Sequence, residues 1–377
     1  MAQRTSPSDE QHLSITAVEQ VASYNWLDST EPTLLVPGSP PIWSPPDAPV
    51  QVPPDTGRFF IDPNAGMMPT SPMEPLFRAV LHEHPTFDFS SLDLITDRWA
   101  LSRLLSDNDS WSLAAEVVKG KVIFIRLEPE KEIEIQPHQF RGFRRNFEKE
   151  SLKYREDCRG SRAHYQIITY SLGEMNILLR HAAAGYFAGD LTAHSPIDAD
   201  EAPHTTTLGD TTTAPTAVQQ HGKIRIRSAG ARIPRSAIFE LSTSKKVGTL
   251  EGYKQHEVPE QWIAQTQGYI RALAAETKGE RQAWKRHGTF SEESVDIRRN
   301  ACADTAEWEG ENQGRIQRLH RRLADILLCL RRACQASGSG YFILESEGKG
   351  GTLNLREVGA NEVRGLPRDL IERLGRA

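Results

Sequence analysis

Alternating apolar and polar residues mark most of the strands that this chain predicts. Residues 112–126 read as two strands joined by a turn, and residues 164–187 read as a second such pair. Strand patterns resume at residues 223–227 and 237–243. Because successive side chains of a strand point to opposite faces, each of these patterns predicts a strand with one face turned toward a core.

Apolar residues spaced three or four apart predict helices before, between and after these strands. The helical patterns cover residues 75–85, 140–153, 257–275 and 304–336. A final hairpin pattern surrounds the glycines at 348–351. Helices and strands therefore alternate loosely, with hairpins in the middle of the chain. This order predicts an α+β or α/β fold with a central mixed β-sheet flanked by helices.

The organisation into domains is read from composition along the chain. Residues 1–57 are rich in Pro, Ser and Asp, and proline fixes φ and lacks an amide donor, so we expect an extended N-terminal segment. Trp26 and Trp43 suggest that parts of it lie on a surface. Residues 188–221 include TTTLGDTTTAPTAV, a low-complexity run that predicts a mobile insert. The remainder, residues 58–377, is expected to form a single domain around this insert.

Whole-chain composition limits the classes of function. With 377 residues, 38% hydrophobic and 25% charged, the chain is long and apolar enough for a sizeable core. A formal net charge of −5 argues against a protein that coats nucleic acid, so any such contact must be local. The four cysteines form no CxxC pair, which argues against structural zinc. No secretory or membrane-spanning pattern is visible, so we expect an intracellular protein, nuclear or cytoplasmic.

The chemistry-bearing stretch is IFELSTSKK at residues 238–246, which looks like a metal-nuclease strand without its lysine. In nucleases of the PD-(D/E)XK type, a central strand carries Glu-x-Lys, with both side chains on one face. The glutamate binds a divalent metal, and the lysine stabilises charge that develops at the phosphate. Here Glu240 is present, but Ser242 stands in the place of the lysine. Such a short motif also occurs by chance, so its meaning depends on the segments around it.

Six segments, read in order, resemble the decapping-nuclease family that includes DXO and the companion protein of the nuclear 5′→3′ exoribonuclease. They are LITDRWALSRLL, SWSLAAEVVKGKVIFIRLE, GFRRNFEKE, ILLRHAAAGYF, IFELSTSKK and QWIAQTQGYI, which together span about residues 90–285. The resemblance implies a PD-(D/E)XK-type central sheet. The chain also looks like uncharacterised fungal proteins of this relationship. Some of these carry prenyl-diphosphate-synthase names, but the chain has no Asp-Asp-x-x-Asp motif for a magnesium diphosphate.

The resemblance also implies roles for individual residues. It aligns Arg98 with an arginine near the RNA substrate and Gln265 with a substrate-side glutamine. It aligns Glu148 with a metal-site or catalytic carboxylate, although GFRRNFEKE is two residues longer than the matching family segment. Glu240 would be the second carboxylate ligand of the metal, and the backbone carbonyl of Leu241 would be a third ligand. In an active enzyme these groups would hold Mg²⁺ or Mn²⁺.

Two departures from the family pattern weaken this site. Where the family has Glu-x-Asp, the chain has Ala182–Ala184, and where it has lysine, the chain has Ser242. Metal-assisted phosphoryl chemistry needs several oxygen ligands, so an ion held by Glu148 and Glu240 alone would be bound weakly. The resemblance further predicts that Glu240 and Ala184 lie on adjacent strands, with their side chains facing a shared cleft.

Three hypotheses for function follow. The favoured one is a pseudoenzyme that binds an RNA end or a protein partner, such as a 5′→3′ exoribonuclease. Arg98, Gln265 and the basic run at 141–149 would then contact phosphates. The second is an active metal-dependent RNA 5′-end hydrolase, which needs replacement ligands such as Asp190 or Glu174. The third is a pure interaction protein whose Pro-rich segment, residues 36–54, is a docking strip.

Overall fold

The chain folds around two mixed β-sheets flanked by helices. The computed structural model describes residues 12–68, 70–106, 110–127, 130–191, 218–244, 250–276, 287–348 and 353–375. The strands are β1 Ile15–Leu27, β2 Thr33–Gly38, β3 Ile42–Trp43, β4 Val50–Val52, β5 Gly57–Phe60, β6 Leu94–Asp97, β7 Trp111–Val118, β8 Lys121–Arg126, β9 Glu132–Ile135, β10 Leu152–Lys153, β11 Ser161–Leu172, β12 Met175–Ala183, β13 Gly185–Tyr186, β14 Val218–His221, β15 Ile224–Gly230, β16 Ile238–Ser244, β17 Gly268–Leu273, β18 Ala275–Glu276, β19 Gly288–Phe290, β20 Val295–Arg298, β21 Tyr341–Ser346 and β22 Leu353–Glu357. The helices are α1 Pro63–Met67, α2 Glu74–Glu83, α3 Arg98–Leu105, α4 Arg144–Ser151, α5 Leu250–Ala264, α6 Cys302–Glu311, α7 Gln313–Ser337, α8 Ala360–Val363 and α9 Arg368–Leu374.

The larger sheet has eleven strands in the order β14-β15-β2-β1-β11-β12-β6-β8-β7-β21-β22. The sheet is mixed. β6 pairs in parallel with β12 and with β8, whereas β11 pairs antiparallel with β1 and with β12. One face packs against α2, α8 and α9, and the other against α3, α5, α6 and α7. Along β12, Leu178 belongs to the first of these cores and Leu179 to the second, as the alternation of a strand requires. The predicted fold class, with a central mixed sheet between helices, is confirmed.

The smaller sheet has the strand order β10-β3-β13-β16-β17-β20 and joins the larger one through β12 and β13. One of its faces packs a separate aromatic core that includes Phe239 and Leu241 of β16. At the junction, Gly185 lies so close to its neighbours that an added Cβ would stand 2.4 Å from the Phe239 ring and 2.9 Å from the Pro41 carbonyl oxygen. Any larger residue would push β13 away from β16, so glycine is needed there for the two strands to pair.

The N-terminal segment is extended, and its strands are built into these sheets. β1 runs through the larger sheet between β2 and β11. Its residues 21–26 are all buried, and the Trp26 indole N–H donates to the Asn64 side-chain oxygen, 2.8 Å away. The Pro-rich stretch supplies β3 and β4, which pair with strands of later segments, so its continuous exposed run is only residues 45–49. Little of the expected docking strip is therefore free.

Two other sequence expectations meet different outcomes. Residues 192–217, which make up most of the predicted insert, lie outside the described residues, and residues 218–221 form the edge strand β14. The helix predicted over 257–275 ends at Ala264, and its apolar second half is the buried strand β17. A short apolar run cannot be assigned to helix or strand by its periodicity, which explains this error. In the described part of the chain, no helix is long and apolar enough to cross a membrane.

A buried carboxyl group joins the C-terminal helices to the larger sheet. Glu116 of β7 is 1% exposed, and its Oε2 accepts a hydrogen bond from the Leu366 amide, 2.8 Å away. Its Oε1 has no hydrogen-bond partner among the described residues. Burial raises the pKa of Glu116 to about 7, against the smaller lowering effect of the Leu366 amide. The folded protein therefore holds this proton at pH values where the unfolded chain releases it.

We predict that Glu116 makes the protein less stable as the pH rises. The contribution is fully present below the unfolded pKa, near 4.5, and is lost as the pH rises through about 7, because the folded state binds the proton more tightly. The loss amounts to roughly 3 kcal/mol, at about 1.4 kcal/mol per pKa unit. Urea unfolding between pH 5 and 8 should show this slope in the wild type and a flatter profile in Glu116→Gln. Glu345→Gln, at an exposed position on the neighbouring strand, is the control; equal slopes in all three proteins would contradict the prediction.

Candidate functional site

The predicted site residues meet where the chain passes from β12 to β13. Gly185 pairs with Phe239 of β16, and the Ala184 amide donates to the Phe239 carbonyl oxygen, 3.2 Å away. In this antiparallel register, Ala184 stands beside Glu240. Ala184 itself lies between β12 and β13 and packs against the same aromatic core as Phe239, so the predicted cleft shared by its side chain and that of Glu240 stays a prediction. Because Phe239 and Leu241 face the aromatic core, Glu240 faces the opposite side, toward α3 and α5.

Cationic and neutral nitrogen groups surround the Glu240 carboxylate. Its Oε1 accepts a hydrogen bond from Arg98 Nη1 at 2.7 Å, and His181 Nδ1 lies 3.8 Å from the same oxygen. Burial by itself raises the pKa of Glu240, but the combined effect of Arg98, His181 and Arg144 lowers it below its usual value. Burial lowers the pKa of His181 by more than Glu240 raises it, so the imidazole is neutral at pH 7.

A second buried ion pair holds Arg98 in position. Arg98 is the first residue of α3, and Asp97 caps this helix by accepting a hydrogen bond from the Ala100 amide at 3.0 Å. The other Asp97 oxygen lies 3.6 Å from the Arg180 guanidinium, which is 2% exposed. Arg180 and His181 are consecutive on β12 and point to opposite faces. One strand thus anchors α3 from one side of the sheet and supplies His181 to the site on the other.

Helix α4 brings the second predicted carboxylate into the same region. Arg144 Nε donates to Glu148 Oε1 at 2.8 Å, one helical turn away. The charge of Glu148 is the main cause of the raised pKa of Arg144, with further contributions from Glu240 and Glu260. Arg98 and Arg144 also act on each other electrostatically. Arg98, Glu148 and Glu240 therefore belong to one constellation in which each carboxylate pairs with an arginine.

Two other predicted residues make local contacts instead. Gln265 has φ +53° just after α5, its Nε2 donates to the Trp262 carbonyl oxygen at 2.6 Å, and its own carbonyl accepts from Arg235. Leu241 pairs with Ile270 in the β16–β17 ladder. Among the described contacts, none joins Gln265 to Arg98, Glu148 or Glu240. The substrate role of Gln265 and the metal role of the Leu241 carbonyl stay predictions.

The residues present do not fit a divalent metal ion. In the described ranges, no three Asp, Glu, His or Cys side chains stand close enough to hold one. Glu240 and Glu148 each already accept a hydrogen bond from an arginine, and the alanines of β12 offer no ligand. Asp190, a candidate replacement ligand, instead pairs with Arg299 at 2.9 Å. Mg²⁺ and Mn²⁺ need several oxygen ligands, which this set does not supply.

Sequence reasoning missed two contributors, and both lie close to motifs that it used. His181 directly precedes the three alanines, yet a histidine inside an apolar strand looks the same whether it packs in a core or faces a site. Glu257 accepts a hydrogen bond from Ser242 Oγ at 3.0 Å, and the Tyr269 hydroxyl hydrogen-bonds to the same oxygen. The only signal for Glu257 was its position on a helix that follows β16.

Comparison with known proteins supports the fold. A family model described as Domain of unknown function (DUF8563) matches residues 1–374. Mutant Schizosaccharomyces pombe Rai1 with 3′-FADP has a TM-score of 0.55 at 11% identity, covering 93% of this chain and 96% of that one. Candida albicans Rai1 with pU5-Mn²⁺ has a TM-score of 0.53 at 12% sequence identity, and the match covers 96% of each chain. Kluyveromyces lactis Dxo1 with manganese has a TM-score of 0.51 at 12% identity, and the match covers 92% of this chain and 91% of that one. No curated protein sequence matches significantly. At these identities the likeness shows the fold, and the resemblance to the decapping family is confirmed at that level.

We predict strong thermodynamic coupling between Arg98 and Glu240. Arg98→Met would leave the Glu240 carboxylate buried without its arginine, which typically destabilises a protein by ~3–5 kcal/mol. Arg98→Met combined with Glu240→Gln removes both charges and should recover much of that loss. Chemical denaturation of the wild type, both single variants and the double variant gives the coupling energy.

The matched control for this cycle is the exposed pair of Glu156 and Arg159, which is 3.3 Å long with side chains 85% and 78% exposed. Solvent screening should keep its coupling close to zero. A coupling between Arg98 and Glu240 as small as that of the control pair would show that their contact does not hold the site together.

Proposed function

The chain belongs to the family described as Domain of unknown function (DUF8563), and we propose that it binds the 5′ end of an RNA without cleaving it. The proposal rests on the fold shared with Rai1 and Dxo1 and on the residues that remain in the site. The ligands of two of these relatives, pU5 and 3′-FADP, support a nucleotide as the ligand class. An RNA end is met in the nucleus or cytoplasm, so an intracellular location is part of the proposal.

The observation that carries the proposal is the charge balance around Glu240. Arg98 and Arg144 contribute +2, and Glu148 and Glu240 contribute −2, so these two ion pairs balance while His181 is neutral, and the half-exposed Glu260 adds one screened negative charge. The two acids that the family pattern has in place of Ala182 and Ala184 would add two negative charges to this region of the chain. A phosphate approaching such a site needs a metal to offset repulsion, whereas here it meets a neutral site without one.

The arginines also keep hydrogen-bond donors for a ligand. A guanidinium has five N–H donors, and Arg98 and Arg144 each use only part of this set on their carboxylates. The carboxylates hold the two planar groups in fixed orientations, which favours recognition of phosphate oxygens. Glu260 lies 3.9 Å from Arg98 and is 52% exposed, about as exposed as Arg144 at 54%, so solvent screens both charges.

Cleavage is not expected from these groups. Position 242 lacks the fixed positive charge that a lysine would supply there. Its residue, Ser242, is neutral and donates a hydrogen bond to Glu257. Charge stabilisation by one positioned donor is typically worth ~3 kcal/mol, about a hundredfold or more in rate. Without ligands for a metal, no hydroxide is generated at neutral pH either. A bound 5′ end would therefore be retained rather than hydrolysed.

We predict that 5′-phosphorylated U5 binds in EDTA. Isothermal titration calorimetry should detect this binding. The affinity should be at least ten times weaker when 5′-hydroxyl U5 replaces the phosphorylated ligand, and at least ten times weaker in Arg98→Ala and in Arg144→Ala, since a charged hydrogen bond contributes ~1.5–3 kcal/mol. Arg159→Ala, a distant and exposed arginine, should bind like the wild type. Binding that requires Mn²⁺ would favour the rearranged hydrolase. No binding under either condition would overturn the proposal and leave a protein partner to be sought.

We also predict little or no Mg²⁺- or Mn²⁺-dependent cleavage of capped or 5′-triphosphorylated RNA by the wild type. Ala182→Glu, Ala184→Asp and Ser242→Lys made together should restore Mn²⁺ binding in calorimetry if the scaffold is intact. Robust wild-type activity that Glu240→Gln abolishes would show that other ligands complete the site. A folded triple variant that binds neither metal would show that Glu148 and Glu240 are not aligned with a metal site.

A further inference from the structure

The first turn of α4 is capped by the residue that directly follows the Pro-rich segment. The position before the helix is Phe143, whose side chain has no oxygen that could accept from the first amides of α4. Asp55 takes this role from 90 residues away along the chain. Its Oδ2 accepts from the Arg145 amide at 3.2 Å, and its Oδ1 accepts from the Asn146 amide at 3.1 Å. The carboxylate thus lies at the positive end of the helix dipole.

Further contacts hold this capping residue against α4. The Asp55 amide donates to the Gly142 carbonyl oxygen at 2.9 Å, and Asp55 is 4% exposed. The Asn146 side-chain amide donates to the carbonyl oxygens of Pro53 and Pro54, both at 3.0 Å. Because each proline ring fixes φ, this part of the chain has few alternative conformations. The cap is therefore held in place by the backbone on both of its sides.

The Pro-rich segment also contacts the other end of α4. The Ser44 amide donates to the Ser151 carbonyl oxygen at 2.9 Å, and β3 pairs with β10, the strand that directly follows the helix. Between these contacts and the cap, β4 pairs with β19. The segment therefore fixes α4 at its first and its last turn. This is the helix that carries Arg144 and Glu148.

We infer that Asp55 is a positioning residue for Arg144, and that the Pro-rich segment serves the candidate site. Arg144 is the first residue of α4 and directly precedes the two amides that Asp55 binds. Its side chain is 54% exposed, so the backbone of the first turn, more than packing around the side chain, decides where the guanidinium stands. Glu148 lies one turn later on the same helix and moves with it. The inference rests on the proposed function, in which Arg144 contacts the 5′ phosphate.

Calorimetry with 5′-phosphorylated U5 in EDTA tests whether Asp55 acts through Arg144. In Asp55→Ala the affinity should fall by about three- to tenfold, and no further than in Arg144→Ala, because a displaced guanidinium loses its charged hydrogen bond to the phosphate. In the Arg144→Ala background, Asp55→Ala should cause no additional loss. In the Arg98→Ala background, it should lower the affinity by the same factor as in the wild type.

Two variants separate positioning from a general loss of stability. Asp55→Asn keeps a capping oxygen and should bind close to the wild type, since asparagine is also a good capping residue. Asn300→Ala is the matched control, because it removes the side-chain oxygen that accepts from the Cys302 amide at the start of α6. It should bind U5 like the wild type.

Hydrogen exchange of the free protein tests the cap without a ligand. Peptides that cover α4 should exchange about fivefold faster, or more, in Asp55→Ala, because a lost cap frees the first turn. They should exchange at the wild-type rate in Asn300→Ala. If the wild type does not bind U5, the proposed function fails and the role of Asp55 toward a ligand fails with it, whereas the exchange rates still decide whether Asp55 holds α4.

Three results would overturn the inference. They are unchanged exchange of α4 in Asp55→Ala, unchanged affinity in that variant, and a loss of affinity that is equally large in the Arg144→Ala background. If Asp55→Ala does not fold, Asn146→Ala removes the contacts to Pro53 and Pro54 and decides the same comparisons.

Discussion

The buried ion pair between Arg180 and Asp97 is the interaction on which the rest of the site depends. Arg180 also donates to the Pro72 carbonyl oxygen at 2.7 Å and lies 3.5 Å from the Tyr24 hydroxyl, so it ties β12 to β1, to the approach to α2 and to α3. Burial raises the pKa of Asp97, and the charge of Arg180 opposes this effect. Because breaking a buried pair leaves an uncompensated charge, α3 has one favourable position against β12. That position sets where Arg98 stands.

The contact between Arg98 and Glu240 gives a structural reason for a carboxylate to persist in a site that has lost its neighbouring acids. A buried glutamate without a metal or a cation would be strongly destabilising, but here an arginine compensates it at 2.7 Å. Removing either partner alone exposes the other to the full desolvation penalty. The pair is therefore retained or lost as a unit, and the presence of Glu240 by itself is not evidence of catalysis. Function has to be argued from the donors that Arg98 leaves unused.

The sequence predicted those parts of the fold where one face of a strand is buried and the other is not. Alternation located β7, β8, β11, β12 and β16, and motif order placed Ala184 beside Glu240. It failed for β1, because residues 21–26 are buried on both faces and lack alternation. His181 and Glu257 were missed for a different reason. Whether a polar residue is solvated or buried depends on packing against distant segments, such as α6 on α5, which local patterns do not record.

The substitutions in the site make sense only when their charges are considered together. Two acids replaced by alanine remove two negative charges, and a lysine replaced by Ser242 removes one positive charge. Loss of the lysine alone would leave one positive charge fewer in an already acidic site. Loss of the acids as well brings the set formed by Arg98, Arg144, Glu148 and Glu240 to neutrality without a metal. In the proposed function, the same changes that remove metal ligands also make the site more receptive to a bare phosphate, so binding without cleavage would follow from both.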